Sequence, residues 1–489
     1  MKSPLPVAWP AASPAARYRL PLAVILPAVC LLAATQATLA AGFGDPFDTR
    51  ALHATGPGNS QRAELDALCR ATSGTGPLTL AEVVDLALCT NPRTRLAWAN
   101  ARAQAAQVGI AESAYLPTLS ASASRSRNTT DDGTRVSFNQ TSGALSASYL
   151  LFDFGARAAN LENARQLMAA LVATQDATLQ SVFLSVVQAY YQSFAAGAAI
   201  LAAREAERAS LESLKAAETR YRVGVATPAD RLQAQTAAAQ ATLARIQAEG
   251  NAKIAEGVLA NTLGLDAQAA PALVPPAESS PDAAFEQNLD TLIAAAKHAR
   301  PELAVAEAQV KAAEAGIAAA RAAHLPSLSL TAGNSYNDTG TTTRGSSIGL
   351  TVSIPLFSGF ATTYRVRNAE ALLEARAAQR EQVEKQVSLD VWRSYYTLTT
   401  SIASVRASSD LLASAEASEK VAAGRYKAGV GGILDLLNAQ SALAAARQQK
   451  IQALYNWHIA KTSLAQSIGR LGFDQLEPVV SSAEKAPSP

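Results

Sequence analysis

Sixteen residues from Arg220, RYRVGVATPADRLQAQ, return from Arg425 as RYKAGVGGILDLLNAQ, with eight positions identical. The groups able to do chemistry in these stretches are a guanidinium and a phenol (Arg220 and Tyr221, then Arg425 and Tyr426), a carboxylate (Asp230, then Asp435) and, one turn after the second carboxylate, the amide of Asn438. Elsewhere no metal-spaced His cluster, nucleophile motif or Gly-rich phosphate loop occurs, so neither an enzyme nor a cofactor or metal site is expected. What remains is polar recognition and helix-end chemistry. Gly224 and Gly429 can take the positive φ that ends a helix. Thr227 can cap the helix that follows, Pro228 suits its first turn, and Asp230 faces its unpaired amides. In the second copy Gly432 replaces Thr227 and Asp435 keeps the acid three residues later. Each stretch reads as the turn of a helical hairpin, and the chain makes that turn twice.

Such turns need arms, and the arms are duplicated too. Tyr190 and Tyr191 return as Tyr395 and Tyr396, and LLFDFG at 150–155 returns as PLFSGF at 355–360, all at an offset of 205. Upstream, Pro92 and Pro117 return as Pro301 and Pro326 at an offset of 209, which puts the length change in a loop between strands. From 156 to about 222 no proline interrupts a run rich in Ala, Leu, Gln, Glu and Arg. That composition predicts one helix of roughly 100 Å, at about 1.5 Å per residue. A return helix is expected over 229–263, and the second half repeats the pair over 362–427 and 433–468. A shorter helix from about Thr94 to Ala114 precedes them, ended by Leu116-Pro117. Alternation of apolar and Ser or Thr residues then predicts two strands per half, at 118–127 and 142–153 and at 327–336 and 346–356. NTTDDG at 128–133 reads as the turn between the first pair.

The 489 residues are 49% hydrophobic and 17% charged, with a net charge of +2, and no basic stretch is present to track nucleic acid. The first 40 residues, with Arg17 and Arg19 before an apolar run that ends in small residues, read as an export signal. An arm at 41–77 follows, then a first repeat at 78–266, a Pro-rich linker at 267–288, a second repeat at 289–470 and a disordered tail at 471–489. Cys69 and Cys89 remain after the signal. In an oxidising compartment they can join and clip the arm to the first helix, or lie buried separately.

Four strands cannot close a membrane barrel, and a barrel tolerates no unpaired edge. The simplest remedy is for several chains to contribute four strands each, and three chains give twelve. With these words in hand (ALCTNPRTRLAWANARAQAAQVGIAESAYLPTLS, LLFDFG, RYRVGVATPAD and RYKAGVGGILDLLNAQ), the chain resembles the TolC family of outer-membrane efflux and secretion proteins over about residues 78–470. The cysteines and the LCTNP spelling further resemble a branch that serves type I secretion of large toxins, the adenylate cyclase-hemolysin exporter among them.

The resemblance implies a mixed α/β membrane protein: a homotrimer with a twelve-stranded barrel in outer-membrane lipid and a long periplasmic α-helical tunnel. It implies a periplasmic adaptor meeting the hairpins at Arg220, Tyr221, Gly224, Arg425, Tyr426 and Gly429, and an inner-membrane ABC transporter or proton-driven pump behind it. The cargo would be a type I secreted protein, or alternatively a drug or other small molecule; a structural coiled-coil surface protein is the rival of another class. The family's acidic constriction falls on Asp435, its second ring on Asn438, and Gly431 stands where some relatives carry an arginine that ties the entrance shut. Asp435 is therefore expected to line the pore, with satisfying helix amides as the alternative, whereas Asp230 is expected to satisfy helix amides, with the pore as its alternative.

Overall fold

The computed structural model describes residues 45–49, 76–276 apart from 132 and 134, and 288–471. Residues 45–49 form a short turn closed by Thr49 Oγ1 donating to Asp45 Oδ1 at 3.0 Å, and belong to a body separate from the remainder. The export signal, most of the arm with Cys69, and nearly all of the tail lie outside the described residues.

The rest of the chain is one unit written twice. Its first half runs α1 (Leu80–Thr90), α2 (Pro92–Ser113), β1 (Thr118–Asp131), β2 (Arg135–Phe152), α3 (Ala156–Arg222) and α4 (Pro228–Thr262). Its second half runs α5 (Leu289–Ala299), α6 (Pro301–Ala322), β3 (Ser327–Asp338), β4 (Thr342–Ser353), α7 (Ala361–Lys427) and α8 (Ile433–Ser467). Corresponding helices have identical lengths: 11, 22, 67 and 35 residues in each half. The short helix expected from Thr94 starts two residues earlier, because Pro92 needs no N–H in the first turn and Asn91 caps it by accepting from Arg93 N at 2.8 Å. The separate helix α1 falls on LAEVVDLALCT, a stretch that reads as helix in the sequence, whereas its counterpart α5 was not set apart from the helix that follows it.

Two apolar clusters, one per half, hold the helices together. Val83 and Val84 of α1 pack with Val186, Val187 and Tyr190 of α3 and Leu259 of α4. Leu292 of α5 packs with Val387, Val391 and Leu398 of α7 and Trp457 and Leu464 of α8. One window of α3 is long and apolar enough to cross a membrane by composition; Val182, Phe183, Val186 and Val187 of this helix are spent on the first cluster instead. The ends of the return helices lock onto the short-helix junctions. Gly264, at φ +77, lies so close to the Thr90–Asn91 backbone that an added Cβ would stand 2.7 Å from the Thr90 carbonyl oxygen. Asn91 Nδ2 donates to Thr262 O at 2.8 Å across the same junction. Gly469, at φ +71, repeats the approach against Ala299. The linker backbone at 272–274 pairs with Leu78, and the Tyr190 hydroxyl donates to Val274 O at 2.6 Å.

The four strands form one antiparallel sheet in the order β1-β2-β3-β4. Its register sorts side chains by face. Leu328, Leu330 and Ala332 stand opposite Val352, Leu350 and Ile348, whereas Ser329, Thr331, Gly333 and Ser335 stand opposite Thr351, Gly349, Ser347 and Gly345. The first hairpin repeats this, with Leu119 and Ala121 opposite Ala147 and Leu145, and with Ser120–Ser146 and Ser124–Ser142 hydroxyl pairs at 2.7 and 2.8 Å on the other face. The strands run farther than expected: β1 continues to Asp131 and β2 begins at Arg135, so Asn128 and Thr129 are paired with Phe138 and Ser137 instead of forming a turn. Cross-strand bonding overrides the turn preference of NTTDDG, as is usual for residues whose β propensity depends on their neighbours. β4, in contrast, ends at Ser353, ahead of the expected 356, at Pro355.

Candidate functional site

The two hairpins, 205 residues apart in sequence, lie side by side at one end of the helices. Ala217 of α3, Ala234 of α4, Tyr426 of α7 and Ile433 and Leu436 of α8 form a shared apolar cluster. Each long helix stops because the backbone turns left-handed, at Gly224 (φ +82) and Gly429 (φ +79), with nothing within 4 Å of either Cα face to fix a side chain. Val225 N then donates to Arg220 O, and Val430 N to Arg425 O, both at 3.0 Å. The bond pattern is the same in both copies.

The chemistry of the two copies is not the same. Thr227 and Asp230 close a capping box: Thr227 N and Oγ1 donate to Asp230 Oδ2 at 2.8 and 2.9 Å, and Asp230 N donates back to Thr227 Oγ1 at 3.2 Å. The Asp230 carboxylate is thereby occupied at its own helix end. Gly432 has no side chain to offer, and α8 starts without a side-chain cap bond. Asp435 is exposed and makes no hydrogen bond or ion pair among the described residues. It lines a groove of about 650 Å³ with Asn438, Arg425 and Gly431. A side chain at Gly431 would press on Arg425, whose Cβ lies 3.0 Å from the position a Cβ would take.

The two arginines also differ. Arg220 reaches across to the second hairpin, where its guanidinium stacks over the Tyr426 ring at 4.2 Å and donates to the carbonyls of Tyr426 and, at 3.3 Å, Lys427. Burial pushes the Tyr426 phenol above its ordinary range; the Arg220 charge pulls it back and the nearby Asp230 carboxylate adds to the rise. Arg425 is exposed and engages no such partner among the described residues, and the Arg231 guanidinium lies 5.0 Å from the Tyr221 ring centre. Sequence reasoning singled out these four residues but could not say that Arg220 joins the two halves, because its target lies in the other repeat. Of the cysteines, Cys89 is disulfide-bonded, and Cys69, its expected partner, is outside the described residues. Among the described residues no group of His, Cys, Asp and Glu is placed to hold a metal.

Phe154 and Gly155, and again Gly359 and Phe360, adopt positive φ where strand turns into long helix. For phenylalanine that conformation is uncommon, yet the pair of positive-φ positions recurs at the same offset of 205, with phenylalanine and glycine exchanged. It turns Phe152 and Phe154, in contact at 4.7 Å, and Phe357 and Phe360, at 5.5 Å, outward at the foot of the sheet. The repeated tyrosines differ between the halves: Tyr190 and Tyr191 are buried, whereas Tyr396 is exposed, as is Trp392 one turn before it.

A four-stranded sheet with one apolar and one hydroxyl-rich face, carried on duplicated helical hairpins, defines the class of outer-membrane channel subunits with a long periplasmic extension. The chain belongs to the outer membrane efflux protein family, which it matches over residues 83–265 and 292–470. It is 34% identical to the protein CyaE of Bordetella pertussis over 81% of this chain and 85% of that one. It is 28% identical to the outer membrane efflux protein BepC of Brucella suis, over 82% and 88%, and 25% identical to the outer membrane protein TolC of Escherichia coli, over 81% and 83%. Among solved structures its fold is similar to the Campylobacter jejuni CmeC outer membrane channel, with a TM-score of 0.72 at 20% identity over 80% of this chain and 85% of that one. The Neisseria gonorrhoeae MtrE outer membrane channel gives 0.67 at 24%, over 80% and 88%.

Proposed function

We propose that three copies of this chain assemble into an exit duct, each contributing four strands to a twelve-stranded barrel and four long helices to a periplasmic tunnel. An inner-membrane pump, joined through a periplasmic adaptor at the hairpins, delivers cargo to it. The observation that carries this reading is the sheet. Among the described residues both of its faces lack a core, one is apolar and one lined with hydroxyls, and its outer strands β1 and β4 each pair on one side only. In a membrane those edges must be paired, and further copies supply the partners with lipid outside and water within. The outward phenylalanines mark the periplasmic boundary of the lipid.

Membership of a family described as efflux proteins supports a small-molecule cargo over the secreted protein that the sequence resemblance put first. At the tunnel end, Asp435 is the acid free to face a pore, with Asn438 one turn on; Asp230 is engaged in its cap. Three Asp435 carboxylates concentrate cations at the mouth and hinder anions. Reconstitution of the purified protein in planar bilayers, alongside its native mass, tests the duct. Unitary conductance steps from a three-chain species are expected, and a monomer without conductance overturns it. Deleting the chain from its host should sensitise cells to dyes and detergents. Unchanged sensitivity with loss of a large exported protein would overturn the small-molecule reading.

A further inference from the structure

The four strands carry six charged side chains: Arg125, Arg127 and Asp131 on β1, Arg135 on β2, Asp338 on β3 and Arg344 on β4. The pairing register puts all six on one face. Arg125 stands opposite Thr141 and Arg127 opposite Asn139, on the side that also holds Leu119, Ala121 and Leu145. Asp338 and Arg344 share that side through the Thr141–Asp338 and Tyr336–Arg344 pairs. Along the described strands the hydroxyl face carries no charged residue. A sheet with one wet side should keep its charges in the water. This sheet keeps them with its leucines, on the side assigned above to lipid.

Their height on the sheet explains how lipid tolerates them. Thr141, the partner of Arg125, lies eleven residues from Phe152 along β2. At about 3.3 Å per residue that is roughly 36 Å of strand, and a tilt of about 40° leaves roughly 27 Å of height. The apolar band of an outer-membrane barrel is about 25 Å tall. Arg125 and Arg127 therefore stand at the upper border of the band, and the outward phenylalanines at the lower one. A guanidinium on the lipid face is costly at mid-depth but tolerated at the border, where its stem lies along apolar surface and its head reaches polar groups. Tyr336, opposite Arg344, sets an aromatic ring near the same border.

The acids on this face do not neutralise the arginines. Asp131 lies 3.8 Å from Arg135 in an exposed pair, and Asp338 Oδ1 accepts from Gly340 N at 3.0 Å. Arg125, Arg127 and Arg344 are exposed and meet no acid among the described residues. The side chains across from the first two, Thr141 and Asn139, are neutral. Arg125 and Arg127 are also two residues apart on one face, so their stems rise about 7 Å from each other. Two like charges at that spacing, at the edge of an apolar surface, call for an anion between them.

We infer that Arg125 and Arg127 hold the headgroup phosphate of an anionic lipid in the leaflet farther from the helices. The planar fork of a guanidinium matches two phosphate oxygens at once, and the Asn139 amide stands across from Arg127 as a further donor. The acyl chains of that lipid run down over Ala121 and Leu145. In the ring β1 of one copy lies beside β4 of the next, so Arg344 extends the same basic rim. The barrel is then fixed in depth from both ends, by phenylalanine rings below and by bound phosphate above.

This inference rests on the three-chain duct proposed above, and lipid retention separates the two. The purified protein, exchanged into a neutral detergent, is titrated with bis-phosphorylated lipid A, and bound lipid is counted by native mass spectrometry. The unaltered protein should retain it. The double variant Arg125→Gln with Arg127→Gln should bind about ten-fold more weakly, and Arg125→Lys with Arg127→Lys should fall between. Lipid A stripped of its phosphates should bind the unaltered protein as weakly as the glutamine variant binds the intact lipid. Equal binding of the two lipids by the unaltered protein overturns the inference without any variant having to fold. Equal retention by the unaltered and glutamine proteins overturns it as well. Inorganic phosphate is the third probe, and its binding without retention of lipid overturns the lipid assignment. A conducting three-chain species that gives any of these results leaves the duct standing; a monomer without conductance overturns the duct and this inference with it.

Discussion

Replacing Arg220 by alanine removes the polar tie between the two hairpins of one chain while leaving their apolar cluster in place. The guanidinium lies 4.2 Å from the Tyr426 ring and donates to two carbonyls beyond it. A cation over an aromatic face contributes about 1 kcal/mol at a half-exposed site. A hydrogen bond from a charged donor contributes about 1.5 kcal/mol, and solvent access to Arg220 reduces the sum to roughly 2 kcal/mol. At about 1.4 kcal/mol per factor of ten, separation of the hairpins becomes about 30-fold more frequent. Hydrogen exchange on the reconstituted protein reads this directly, because the amides that close each turn exchange when the hairpins part. Peptides covering 220–230 and 425–435 should both lose about 30-fold protection in Arg220→Ala, while peptides from the sheet stay unchanged. Tyr426→Leu, which keeps burial and the backbone carbonyls but removes the ring, should lose only about five-fold. If Arg220→Ala speeds exchange in its own hairpin and leaves 425–435 untouched, the two hairpins are not coupled through this residue and the reasoning fails.

At the mouth, Asp435→Ala should raise current and weaken block by divalent cations in bilayer recordings, whereas Asp230→Ala should leave block unchanged, since that carboxylate is held by Thr227. Gly264→Ala forces a side chain onto the Thr90 carbonyl at positive φ and should cost about 2–4 kcal/mol; Gly224→Ala, at a similar φ with open space, should cost about 1 kcal/mol. Thermal unfolding followed by circular dichroism compares the two, and equal shifts would show that the close approach is immaterial. Burial first, and Lys461 second, push His458 down from 6.5 to about 4. Its proton is therefore taken up more readily by the unfolded chain: stability is full above about pH 6.5 and declines as pH falls toward 4. His458→Phe should flatten that decline in thermal melts between pH 4 and 7.

The hairpins and their long arms were legible because proline and glycine punctuate them so sparsely: Gly224, Pro228 and Gly429 interrupt otherwise continuous helix formers. The sheet was legible by period, but its upper ends were not, since Asn128, Thr129 and Asp131 carry turn preferences that pairing with β2 outweighs. At the mouth, the sequence favoured Asp435 for the pore and Asp230 for its helix amides. The hydroxyl of Thr227 and its absence at Gly432 separate them, a difference visible in the sequence but decisive only once the capping bonds are drawn. Arg220 reaching Tyr426 could not be read from spacing, because its partner is 206 residues away. The opposite burial of Tyr191 and Tyr396 was hidden for another reason: equivalent positions in a duplicated chain meet different neighbours, and Tyr191 packs on His458 and Tyr455 of the second half.

Both long arms contain 67 residues and both return arms 35. This equality makes the chain a gauge that cannot be lengthened on one side. Seven residues added to a single arm pair would carry one hairpin about 10 Å past its twin, leaving Arg220 opposite bare backbone and tilting the rim of the tube. A change in how far the duct reaches toward its pump must therefore arise as two simultaneous edits, one in each repeat.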